Sequence, residues 1–215
     1  MTSVLLTKMF RLRYEVFHRQ LGWDVDGTDG LERDGFDGLA PVYALAVSRM
    51  DDSVVGCLRM LPTLGPHMLG DVAAFQPALQ GRPCPRSPRI WEISRLAVTP
   101  RCAAESAAAS PTAMAGFGPV PRALLAATGT YALRHGIETF SVLSAVAVER
   151  KANASGIPST RIGDRPTRIG SVLCSTYCVP ASALADLAGS ATGAQRAAPG
   201  GFHAGSRPEM PRSRS

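Results

Sequence analysis

Arg89-Ile90-Trp91-Glu92-Ile93-Ser94-Arg95-Leu96-Ala97-Val98-Thr99, closed by Pro100, is the stretch that decides the fold. Its apolar and β-branched content predicts a strand, and Pro100 ends it because proline has no N–H for a ladder. Alternation along the strand puts Glu92, Ser94 and Leu96 on one face and Ile93, Arg95 and Ala97 on the other. A lone glutamate in such a strand is a candidate general base. Arg95, set among apolar residues, needs a carboxylate partner.

Upstream, Val42–Val47 and Val54–Leu61 flank Asp51-Asp52-Ser53 and predict a β-hairpin, with Arg59 inside its second strand. Leu5, Met9, Leu12 and Val16 recur at helical spacing and predict a helix over residues 3–20. Between them, residues 22–38 are rich in Gly and Asp yet hold Trp23 and Phe36, the composition of a functional lid. Residues 68–80 predict a short helix, and 81–88 a Pro- and Arg-rich loop. Downstream, Val120–Arg134 predicts a helix stopped by Gly136. Thr139–Val146 and Ser171–Val179 predict strands, with a helix at Val148–Ser155. Residues 101–118, dominated by Ala, Ser, Pro and Gly, predict a flexible insertion, and 187–215 a disordered low-complexity tail. The pattern is α/β (α+β): one domain over residues 1–186 with a mixed central sheet flanked by helices.

The 215 residues carry a formal charge of +6. Half of that excess lies beyond Leu187, where Arg196, Arg207, Arg212 and Arg214 face only Glu209. The rest is mildly basic, with no basic recognition helix, and points away from nucleic acid. No run approaches the roughly 18 apolar residues of a membrane span. No charged region with an apolar stretch and cleavage site opens the chain, so the expected location is cytoplasmic. Five cysteines without a secretory signal predict free thiols. Neither Cys174-x-x-x-Cys178 nor the scattered His18, His67, His135 and His203 complete a metal site, so no metal or other cofactor is expected.

Four clusters carry the candidate chemistry: Arg13-x-x-x-Phe17-x-x-x-Leu21-Gly22-Trp23; Glu32-x-Asp34-x-x-Asp37; Gly56-Cys57-Leu58-Arg59-Met60-Leu61-Pro62-Thr63; and Trp91–Val98. Phe17 and Trp23 offer two aromatic faces, which attract cations such as an onium ligand. Three carboxylates within six residues are costly unless cations answer them. Acidic loop and strand arginines are therefore expected to meet, with structural and functional roles for Arg59 and its aspartates both open.

In order and spacing these clusters resemble the acyl-homoserine-lactone synthases, the bacterial autoinducer synthase family. The resemblance runs from about Met9 to Val98 and weakly on to Gly163, and includes Gly65-Pro66-His67-Met68-Leu69. It implies a three-layer sandwich like the Gcn5-related N-acetyltransferases. It also implies two substrates, S-adenosylmethionine and an acyl thioester on acyl carrier protein or coenzyme A. Glu92 would take the proton from the substrate amine, directly or through a water. Phe17 and Trp23 would wall the adenosylmethionine pocket, and Arg13 would position that substrate or close the lid. Asp34, Asp37, Arg59 and Arg95 would join loop to sheet, with Asp34 or Arg95 also touching substrate. Ser141 would bear on the acyl C3.

The glycine-rich turn that cradles coenzyme A pyrophosphate is replaced by Pro100-Arg101-Cys102-Ala103-Ala104-Glu105-Ser106, which favours a carrier-protein donor. Arg150 and Lys151, with Arg161, Arg165 and Arg168, would then form a docking patch for an acidic carrier. Gln20, Ala73, Lys151 and Ala152 depart from the family pattern. A coenzyme-A-dependent N-acyltransferase and a non-catalytic adenosylmethionine-binding relic are the competing expectations.

Overall fold

The computed structural model describes residues 3–109 and 116–191. The chain begins with α1 (Ser3–Arg13), a π-helical turn (Tyr14–Gln20), a small hairpin of β1 (Gly27–Thr28) and β2 (Leu31–Glu32), and a 3-10 turn (Gly35–Gly38). Then come β3 (Val42–Val47), β4 (Val54–Pro62), α2 (Met68–Asp71), a 3-10 turn (Ala73–Leu79), β5 (Ile90–Val98) and α3 (Pro100–Ala109). The second half holds α4 (Pro119–Arg134), β6 (Thr139–Ala145), α5 (Val146–Ala154), β7 (Thr160–Arg161), β8 (Thr167–Ile169), β9 (Val172–Pro180), α6 (Ala181–Ala185) and a 3-10 turn (Asp186–Ala191).

Seven strands form one mixed sheet in the order β3-β4-β5-β6-β9-β7, with β8 also on β9. Only the β5–β6 pair is parallel. On one face Leu58, Met60, Ile93, Phe140, Tyr177 and Val179 pack with α4, α5 and α6. A Cβ on Gly129 would lie 2.2 Å from the Ala185 nitrogen, so α6 rests directly on the backbone of α4. On the other face Met9, Leu12, Val16 and Phe17 cover Val54, Cys57 and Ala97. These are the three expected layers.

The β5–β6 pairing runs from Ile90–Thr139 to Ile93–Val142 and then stops. Beyond it β5 pairs with β4, and β6 with β9, so the two strands part. A β-bulge marks the place. Arg95 has φ of 56°, and the β4–β5 register shifts between Cys57 and Arg59. A left-handed conformation at a non-glycine residue costs on the order of 1–3 kcal/mol and persists because its surroundings fix it. The extra residue also resets the alternation. Leu96 packs with Ile93 against the α4 face, and Arg95 turns to the α1 face with Ser94, contrary to strict period-two spacing.

Two expected boundaries move. The insertion expected over 101–118 opens with the helix α3, and residues 110–115 lie outside the described residues. Of the tail expected over 187–215, the first residues form a 3-10 turn with Leu187 buried against α4 and α6, and 192–215 lie outside the described residues. Among the described residues no helix is long and apolar enough to cross a membrane.

Candidate active site

Six charged side chains meet where α1, the lid, β4 and β5 converge. Arg13 gives its Nε to Glu32 and its two terminal nitrogens to Asp37, at 2.9 and 3.0 Å. Arg59 bonds Asp34 at 2.6 and 3.0 Å and Asp37 at 2.8 Å. Arg95 bonds Glu32 at 3.0 Å and Asp34 at 2.8 Å. Three guanidinium groups thus answer three carboxylates, which makes so much buried charge tolerable. The lid backbone shares in it: Asp34 accepts from the Phe36 amide and Asp37 from the Asp34 amide, a reciprocal cap on the 3-10 turn. Tyr43 donates to Asp37 at 2.6 Å. Burial alone would raise the Asp37 carboxyl, but Arg13, Tyr43 and the Asp34 amide hold it well below the usual carboxylate range.

Exposure separates the members. The side chains of Arg13, Glu32, Asp37 and Arg59 are wholly buried, whereas Asp34 and Arg95 keep 13% and 12% of theirs open. Each of the three Arg13 nitrogens faces a carboxylate and ties α1 to the acidic loop, whereas Asp34 and Arg95 are the members that keep open surface. An open cleft of about 400 Å³ lies against Asp34, bounded also by Asp26, Thr28, Asp29, Leu31 and Arg33.

Phe17 stacks on Trp23 with centroids 5.2 Å apart and planes at 12°. The Arg95 guanidinium lies 5.5 Å over the Phe17 ring. A π-helical turn carries Phe17, a wide turn that often marks functional positions. Trp23 is half-buried and offers its outer face.

Glu92 is buried in β5. Its carboxylate accepts from the amides of Met68 at 3.1 Å and Leu69 at 2.6 Å. Burial pushes the carboxyl above its ordinary value; the Leu69 and Met68 amides and the Arg59 charge pull it back. A carboxylate has about four acceptor sites, so two amides leave room for a proton-bearing partner. The Met68 sulfur lies 2.9 Å from Arg59 and 3.5 Å from Arg95, linking the Glu92 loop to the network.

Ser141 pairs with Glu92 across the parallel ladder and is buried, its hydroxyl 3.5 Å from the Trp91 carbonyl. Arg150 and Lys151 are exposed on α5, with Arg165 and Arg168 exposed in the segment that follows. Arg161 instead bonds Glu149 at 2.9 and 2.8 Å, and Ser175 adds a bond at 2.8 Å, which ties α5 to β9. Among the described residues no group of His, Cys, Asp and Glu forms a metal site.

Sequence spacing left out Tyr43 and the Met68 and Leu69 amides, and named Glu32 without its place between two arginines. Tyr43 was legible in principle, since it alternates onto the face of its neighbour Arg59. The bridging role of Glu32 and the amides of Met68 and Leu69 depend on tertiary packing.

A buried carboxylate beside parting parallel strands, on a sheet covered by helices on both faces, defines an N-acyltransferase-like enzyme. The autoinducer synthase model matches residues 1–185. An acyl-homoserine-lactone synthase of Pseudomonas aeruginosa is 34% identical over 160 residues, 74% of each chain. The solved AHL synthase LasI aligns with TM-score 0.71 and 32% identity, covering 84% of this chain and 85% of that one. The CoA-dependent acyl-homoserine lactone synthase BjaI, solved with SAM and isopentyl-CoA, aligns with TM-score 0.71 and 28% identity, covering 87% and 82%. The chain belongs to the autoinducer synthase family.

Proposed function

We propose that this chain makes an N-acyl-homoserine lactone from S-adenosylmethionine and an acyl thioester, with Glu92 as the base. The observation that carries this is the buried Glu92 carboxylate, held by two amides beside the parting of β5 and β6. Glu92 accepts a proton from the substrate ammonium group, directly or through one water, because only the free amine attacks a thioester. The amine nitrogen bonds to the acyl carbon, and the thiolate leaves. Amides on the β5 edge that has left β6 stabilise the oxyanion. In the second step the substrate carboxylate attacks the carbon that bears the sulfonium; that carbon–sulfur bond breaks, and methylthioadenosine departs. Proximity drives this ring closure, so no protein nucleophile takes part.

The stacked Phe17–Trp23 pair receives the adenosylmethionine, and Asp34 and Arg95 orient its charged groups. The acyl chain enters between β5 and β6, toward Ser141. Acyl carrier protein is the donor on this reading. The Cys102 amide at the start of α3 already meets the Thr99 hydroxyl at 3.4 Å, which leaves a poor pyrophosphate cradle, and Arg150 and Lys151 offer a basic surface.

The test is mass spectrometry of reactions with adenosylmethionine and matched acyl-carrier and acyl-coenzyme A donors. A homoserine-lactone fragment with carrier donors is expected. Glu92→Gln should lose roughly 10²–10⁴-fold of the rate at an unchanged unfolding midpoint. Product from coenzyme A alone would reverse the donor assignment, and no product from either donor would overturn the activity.

A further inference from the structure

The loop that holds Glu92 has its own anchor. His67 immediately precedes the two cradling amides and is wholly buried. Its Nδ1 lies 3.0 Å from the Gly65 carbonyl and its Nε2 3.3 Å from the Cys84 sulfur. Its backbone N–H donates to Asp71 at 2.9 Å. A Cβ on Gly70 would lie 2.6 Å from the His67 ring and 2.7 Å from the Arg86 guanidinium, so both close over α2 only because residue 70 lacks a side chain. Burial pushes the Cys84 thiol up to about 11, so it stays protonated near neutrality. One tautomer satisfies every partner: Nδ1–H donates to Gly65, and Nε2 accepts from the Cys84 S–H. The reaction outlined above makes no use of this imidazole.

We propose that His67, clamped between Gly65 and Cys84, is a positioning residue for Glu92, fixing the loop whose Met68 and Leu69 amides aim the base. The inference rests on Glu92 acting as base. The charged and titratable groups facing the imidazole are Asp71 from α2, Cys84 and Arg86 from the loop before β5, and Glu92 from β5 itself. Arg59 of β4 acts on the same carboxylate. Amide donors favour the ionised carboxylate, so a loop released from its clamp should hold Glu92 less well and make the base harder to ionise.

The test is the pH profile of kcat and of kcat/KM for adenosylmethionine in His67→Asn, Cys84→Ala and Cys84→Ser. In His67→Asn the acid limb should move to higher pH by about one unit, with kcat roughly tenfold lower and KM nearly unchanged. Cys84→Ala should move the limb the same way by less, and Cys84→Ser, whose hydroxyl still donates to Nε2, should bring it back. An acid limb at its wild-type position in His67→Asn overturns the proposal, whatever happens to the rate. If His67→Asn does not fold, an unmoved limb in Cys84→Ala overturns it equally. Glu92→Gln at the wild-type rate would instead remove the base assignment, an outcome distinct from a limb that fails to move.

Discussion

Nη2 of Arg95 lies 2.8 Å from Oδ2 of Asp34, a residue sixty-one positions earlier in the chain. The bond joins the bulge in β5 to the cap of the lid, and it unites the two network members that keep open surface. Arg95→Lys leaves one point charge where a planar fork served both Glu32 and Asp34. It should cut kcat/KM about tenfold or more with a small stability loss, because the site is partly open. Arg59→Met leaves three crowded carboxylates facing only Arg13 and Arg95 and should lower the unfolding free energy by about 3–5 kcal/mol. Steady-state kinetics and urea titration of the two variants check the contrast.

Asp37 makes stability depend on acid. Its carboxyl is held lower in the folded state than in the unfolded chain. Its contribution is therefore present above the ordinary carboxylate value, near pH 4, and is lost as pH falls toward the depressed folded value. Wild-type unfolding midpoints should drop steeply below about pH 4, and Asp37→Asn should start less stable and fall less steeply. Equal slopes for the two proteins would remove Asp37 as the source.

Trp23→Ala removes the outer ring of the stacked pair. Such a pair contributes about 0.5–1.5 kcal/mol beyond burial, so the fold should survive. KM for adenosylmethionine should rise about tenfold while kcat changes less, since a wall binds ground and transition states alike. Initial rates against adenosylmethionine concentration measure this split.

Charge reversal at Arg150→Glu with Lys151→Glu should lower kcat/KM for a carrier-protein donor at least tenfold and weaken its dependence on salt. KM for adenosylmethionine should hold, because both side chains are exposed on α5, which packs on the sheet face opposite Phe17. Loss of adenosylmethionine affinity would point to a folding defect instead.

Local spacing carried much of the fold. Hairpin, central strands and α4 follow from apolar runs and their Pro and Gly stops, and the acidic loop does meet the strand arginines. What failed was the phase at Arg95, because a bulge is set by the partner strand and not by the residues inside it. Arg13 carried the same ambiguity: helical spacing placed it near Phe17, but only the folded lid shows its nitrogens taken by Glu32 and Asp37. The cradle at Glu92 was illegible for another reason, since backbone amides leave no mark in composition.

The parting of β5 from β6 has a consequence for how such a chain diversifies. The wedge arises from backbone register and from one left-handed residue, while Glu92 and the charged network lie to one side of it. On the acyl path proposed above, substitutions along the flank of β6 that β5 has left, at Leu143 or Ala145, would alter the shape offered to an acyl tail without touching Glu92 or the lid. Signal identity and catalytic competence are thereby exposed to selection at different positions, so lineages can drift apart in the message they send while keeping one reaction.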